Sequence, residues 1–134
     1  MGAVILFVMK DYLKTSLVEA VKIEKQYGDF TVHVRIEEIS EGFQVLRSIE
    51  YAGEEDIVIR HRTPLTQITI NADNAVFTGS PVIKQMKPGF QYHPEMPLTF
   101  SELKKGEHKV YVHTQFFIED QKFDIKTKST IVFK

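Results

Sequence analysis

The sequence predicts an all-β fold: an antiparallel Greek-key sandwich preceded by a short N-terminal helix or arm. Apolar and polar residues alternate with period two from Phe30 onward, as in half-buried antiparallel strands. Turn signals recur roughly every eight to fifteen residues, dividing the chain after Gly28 into about seven or eight short strands. No second helical segment lies among them, whereas a parallel sheet needs crossovers of about a dozen residues or more. Such spacing fits a sandwich or a barrel, and we take the sandwich.

With 134 residues the chain has room for one domain, divided here into an apolar segment and helix over 1–28 and a β-sandwich domain over 29–134. A hydrophobic fraction of 43% and a charged fraction of 26% suit a packed globular core. Cysteine is absent, which removes disulfides, zinc thiolates, iron–sulfur clusters and thiol nucleophiles together. Net charge is −1, with both signs mixed along the chain, so no basic excess is available to neutralise phosphates and nucleic acid is not an expected partner.

The elements follow in order. Ala3 to Met9 (AVILFVM) is too short to span a bilayer and has no basic stretch before it. It reads as a strand or helix turn against the body, or as the remnant of a longer export or anchor segment. From Lys10 to Gln26, Leu13, Leu17 and Val21 fall at helical spacing, with Asp11 as cap and Gly28 as stop. Phe30, Val32, Val34 and Ile36 then form the buried face of a strand, and Ser40 to Gly42 turn the chain. Phe43, Val45, Ile49 and Tyr51 repeat the pattern, with Arg47 the one misfit on the apolar side. After the polar loop Ala52–Asp56, Ile57, Ile59 and His61 share a face.

Pro64 interrupts that run and marks a bend, a bulge or a change of sheet before Ile68 and Ile70 resume it. Asn71 to Asn74 are loop residues, and Val82 and Ile83 suit a short edge strand. Lys87-Pro88-Gly89 is a type II turn signal. Pro94 and Pro97 bracket an irregular stretch, with Leu98, Phe100 and Leu103 as anchors to the core. After a turn at Lys104–Gly106, Val110, Val112 and Thr114 line one face of a strand opposite Tyr111, His113 and Gln115. Glu119 to Gln121 turn the chain into a last strand carrying Phe123, Ile125, Ile131 and Phe133.

The order of SIEYAG (Ser48–Gly53), IVIR (Ile57–Arg60), MKPGF (Met86–Phe90) and LKKGEHKVYV (Leu103–Val112) resembles small bacterial immunoglobulin-like domains. The intracellular proteinase inhibitors of bacilli are one such family, and accessory domains of Gram-positive envelope proteins are similar. The likeness covers roughly Phe43 to Ile118. It implies an immunoglobulin-like sandwich. The compartment is not fixed by the sequence, with the cell envelope or a secreted setting favoured over the cytoplasm. No inhibitory loop aligns residue by residue, so no functional residue is carried over.

Candidate chemistry is sparse. The five histidines, His33, His61, His93, His108 and His113, make no ligand pair at strand or helix spacing, although strands could bring His61 and His113 together. Arg60-His61-Arg62 suits an anion-binding patch, or a solvent face paired with Glu50, Glu54, Glu55 or Asp56. The clusters Glu37, Glu38, Glu41 and Glu54, Glu55, Asp56 lack the ligand order of a calcium loop. Gly79-Ser80-Pro81 is not a nucleophile elbow, and no phosphate-binding glycine loop occurs. No catalytic, cofactor or metal residue is therefore expected.

In the connection Thr78–Pro97, Phe90, Tyr92 and His93 sit among prolines and glycines, where stiffened aromatics suit either an interface or an anchor to the core. The expectation is a non-catalytic interaction module that binds a protein through Phe90, Tyr92, His93, Arg60 and Arg62. A membrane would enter only through a lost N-terminal anchor. The alternatives are a proteinase inhibitor presenting an extended loop and an enzyme with a loop-assembled site.

Overall fold

The computed structural model describes residues 15–134 as ten β-strands in two antiparallel sheets facing each other, with no helix among the described residues. The first sheet is built from β1 (Val21–Tyr27), β2 (Phe30–Ile39) and β3 (Gly42–Tyr51), with the short β7 (Gln91–Tyr92) and β8 (Leu98–Phe100) both on the free side of β3. The second runs β10 (Gln121–Phe133), β9 (Gly106–Ile118), β4 (Ile57–Arg62), β6 (Pro81–Met86), and β5 (Thr66–Ile70) also lies along β9. Hairpins join β1 to β2, β2 to β3 and β9 to β10. The chain changes sheet after β3, after β6 and after β8.

The helix expected over Lys10–Gln26 is not what its second half forms. Val21–Tyr27 is strand β1, paired with β2 from Val21↔Ile36 to Tyr27↔Phe30. In this stretch Val21 and Ile23 alternate with Lys22 and Glu24, and pairing with the strong β2 outweighs the weaker helical spacing. Gly28, read as a helix stop, has φ +57 and closes the hairpin instead. Leu17 is buried, but through a bridge to Phe133 flanked by main-chain bonds between Ser16 and Lys134. Ala3–Met9, Asp11 and Leu13 lie outside the described residues.

From Phe30 the expected alternation holds. Phe30, Val32, Val34, Ile36, Phe43, Val45 and Ile49 from the first sheet meet Ile59, Val110, Val112, Phe116, Ile125, Ile131 and Phe133 from the second. The rings of Phe30, Phe116 and Phe123 run together at one end, with centroid distances of 4.8 and 5.0 Å. Phe43, Phe100 and Phe133 do the same at the other. Fully burying each such side chain contributes on the order of 1.5–3 kcal/mol. Lys87–Phe90 closes as expected, with Gly89 at φ +81 and Phe90 N–H donating to the Lys87 carbonyl at 3.0 Å.

Two strands are interrupted, one in each sheet. β4 and β5 follow one line along β9, but six residues separate Arg60 from Thr66 while three separate Phe117 from Thr114. The surplus is a bulge around Thr63–Pro64, whose peptide bond is cis. β7 and β8 follow one line along β3, with six residues from Tyr92 to Leu98 against four from Ile49 to Val45. The surplus there is the excursion His93–Pro97. Counting each interrupted strand once leaves seven strands after Gly28, within the number read from the turn signals.

Arg47, the misfit of β3, lies between the two interruptions. It is 8% exposed, and it donates through Nη1 to the Thr66 carbonyl at 2.9 Å and through Nη2 to the Met96 carbonyl at 2.9 Å. Thr66 N–H donates to Glu95 Oε1 at 3.1 Å, and the Thr66 and Thr114 hydroxyls share a bond of 2.7 Å. Interrupting a strand leaves main-chain groups without ladder partners, and here one guanidinium satisfies carbonyls from both sheets. Arg47→Ala is expected to destabilise the domain by about 3 kcal/mol, and Arg47→Lys, whose single ammonium cannot span both carbonyls, by about half as much. Urea unfolding checks both; a loss under about 0.5 kcal/mol for Arg47→Ala contradicts the role.

Candidate functional site

The five residues singled out for binding fall in three places. Tyr92 is buried, and its hydroxyl lies 2.8 Å from Nε2 of His61, itself 3% exposed on β4. His61 Nδ1 lies 2.7 Å from the Arg62 carbonyl and can only donate to it, so in the neutral ring Nε2 accepts from Tyr92. Burial, with Glu95 nearby, raises the Tyr92 phenol above its ordinary pKa. Phe90 is half-buried beside Tyr92, and Lys84, pointing inward from β6, sets its ammonium 5.3 Å and 5.5 Å from the two ring centroids. These aromatics are structural ties between the sheets.

His93 is exposed on the far side of the first sheet, at the start of the excursion. It borders a shallow hollow with Lys22, His33, Arg35 and Ser48, where Glu24 and Glu37 already pair with His33 and Arg35. The connection Thr78–Pro97 is thus not one long loop. It contains β6 and β7, because Pro81–Met86 pairs with β4 along its whole length. Its open part is the excursion, where Met96 is 84% exposed while its carbonyl is held by Arg47.

Arg60 and Arg62 form the third place. Both project outward from β4, on the face of the second sheet away from the core. Neither takes the expected carboxylate partners: Arg60 lies 5.3 Å from the centroid of the Phe117 ring, and Arg62 donates to the Gly79 carbonyl at 3.2 Å. Ile83, directly across from Arg60 on β6, is 73% exposed, and Val58, diagonal to it, is 53% exposed. Sequence reading found the arginines but not these aliphatics. The alternation of Val58, Arg60 and Arg62 against Ile57, Ile59 and His61 carried the signal.

His61 and His113 do not meet. His61 faces the core, whereas His113 faces outward against the edge of Phe77 and donates through Nε2 to Asp124 Oδ1 at 2.7 Å. No group of three His, Asp or Glu side chains able to hold a metal occurs among the described residues. Burial pushes the Asp124 carboxyl up, but bonds from Gln115 and His113, with Lys122 nearby, outweigh it and hold the pKa below the ordinary value. A lowered carboxyl stabilises the fold fully above the ordinary aspartate range and loses that contribution as pH falls through the lowered value. Asp124→Asn is therefore expected to lower the melting temperature slightly at pH 7, since solvent screens this partly exposed group, and the gap should close below about pH 4. Thermal melts across pH check this; a gap that widens in acid contradicts it.

Comparison with known protein families, with curated proteins and with solved structures finds no match to this chain.

Proposed function

We propose that the domain is a non-catalytic protein-interaction module that docks a partner through the outer face of β4 and β6. The observation that carries this reading is the grouping of Ile83 and Val58, both exposed, around Arg60 and Phe117, with Arg62 alongside. Interface centres are enriched in aromatic residues and arginine and poor in acidic ones. A guanidinium stacked on a ring is already ordered, so less side-chain freedom is lost on binding. Phe90 and Tyr92 have no part in this reading, since both are tied to the core.

An immunoglobulin-like relationship is part of the proposal. Two facing antiparallel sheets and seven strands after Gly28 support it. The chain departs from the immunoglobulin order in keeping β1, β2 and β3 in one sheet before its first crossing. The proteinase-inhibitor reading has one observation in its favour, the exposed Met96 on an excursion whose base is fixed by Arg47 and Thr66.

A photo-crosslinking residue at position 83, compared with one at Thr31 on the opposite face, tests the first reading in the cells that make the protein. One discrete adduct from position 83, absent from position 31 and abolished by Arg60→Glu with Val58→Asp, is expected. Equal yields from both positions contradict it. Titration of the domain against serine proteases tests the second reading, and no stoichiometric inhibition is expected. Inhibition that Met96→Gly abolishes would reverse the choice.

A further inference from the structure

The two broad faces of the sandwich differ in charge in a way that the net charge of −1 conceals. On the outer face of the second sheet, Lys109 projects from β9 and Lys122, Lys126 and Lys128 from β10, with Arg60 and Arg62 on β4. All six are exposed. The carboxylates on the same strand faces are Glu107, at the far end of β9, and Asp124, which accepts from His113 and Gln115 and, paired with Lys122, offsets one of the six positive charges. Asp73 borders the Tyr111, Lys126 and Lys128 side chains from the loop. The outer face of the first sheet carries Lys22 and Arg35 against Glu24, Glu37 and Glu50.

We propose that the β9–β10 half of this face docks on a bilayer surface containing anionic phospholipids. Lys126 and Lys128 are two positions apart on one strand face, about 7 Å, and Lys109 stands across from Thr130, one row further on. Lysine is a flexible, strongly hydrated point charge that is depleted from protein interfaces. It suits a surface that is uniformly negative and sets no fixed geometry, where each basic residue adds a comparable increment. Single-stranded nucleic acid fits less well, because it needs open rings on which bases stack. Tyr111 and Phe117 are half-buried here, and Phe117 already carries Arg60. This membrane contact is distinct from the protein contact proposed at β4 and β6, and it needs no anchor at the start of the chain.

The test is co-sedimentation of the full chain with phosphatidylcholine vesicles, with and without phosphatidylserine at about a third of the lipid. Binding only to the mixed vesicles is expected, with loss in about 0.5 M salt, where the screening length falls to roughly 4 Å. Lys122→Gln, Lys126→Gln and Lys128→Gln together should weaken binding on the order of a hundredfold. Lys22→Gln with Lys25→Gln, on β1, should leave it unchanged. Circular dichroism of each variant establishes that it is folded. No binding to the mixed vesicles overturns the proposal, as does equal binding to phosphatidylcholine alone or an unaffected triple variant. Tighter binding to a single-stranded oligonucleotide than to the mixed vesicles overturns it in favour of nucleic acid.

Discussion

A charged guanidinium inside an apolar sandwich is costly unless its donors are met, and Arg47 meets two of them with the Thr66 and Met96 carbonyls, while its buried Nε has no hydrogen-bond partner. Burial lowers its pKa from the ordinary arginine value, and the Glu95 carboxylate acts in the opposite direction. The dependence runs both ways. The bulge at Thr63–Leu65 and the excursion at His93–Pro97 bring the Thr66 and Met96 carbonyls within reach of the guanidinium. Without Arg47, the buried Thr66 carbonyl would lose this partner and the Met96 carbonyl its tie to the core. The same region carries the other polar ties across the core, His61 to Tyr92 and Thr66 to Glu95. The two ends of the sandwich are closed by packed rings instead.

That division explains what could be read from the chain. The strands from Phe30 onward were legible because one face of each is buried, so a slip of one residue would turn the whole apolar set to solvent. The misfit of Arg47 was legible too, but not its cause, which depends on residues 19 and 49 positions away that only the fold brings near. The first strand was misread because Leu17 and Val21 satisfy a helical spacing while Val21 and Ile23 satisfy a strand, and only the presence of β2 decides between them. Tyr92 looked like a loop aromatic because a two-residue strand leaves almost no pattern in sequence.

The candidate surfaces were legible in part. Arg60 and Arg62 stand out in any reading, yet their neighbours Ile83 and Phe117 come from strands distant in sequence. Net charge and overall mixing hid the basic face, since Lys122, Lys126 and Lys128 are interleaved with the inward-facing residues Phe123, Ile125 and Thr127. Their period of two placed them on one side of β10. Which other charges share that side follows only from the pairing with β9. Docking surfaces of this kind leave no motif, because the sheet assembles them from alternate positions of several strands.

The most direct measurement is a double-mutant cycle between Arg47 and Glu95, using Arg47→Met, Glu95→Gln and the pair, followed by urea unfolding. If one network holds the bulge and the excursion together, the two losses will fall short of additivity by about 1 kcal/mol or more. Losses that add to within about 0.3 kcal/mol would mean that the two interruptions are stabilised separately, and that Arg47 does not join them.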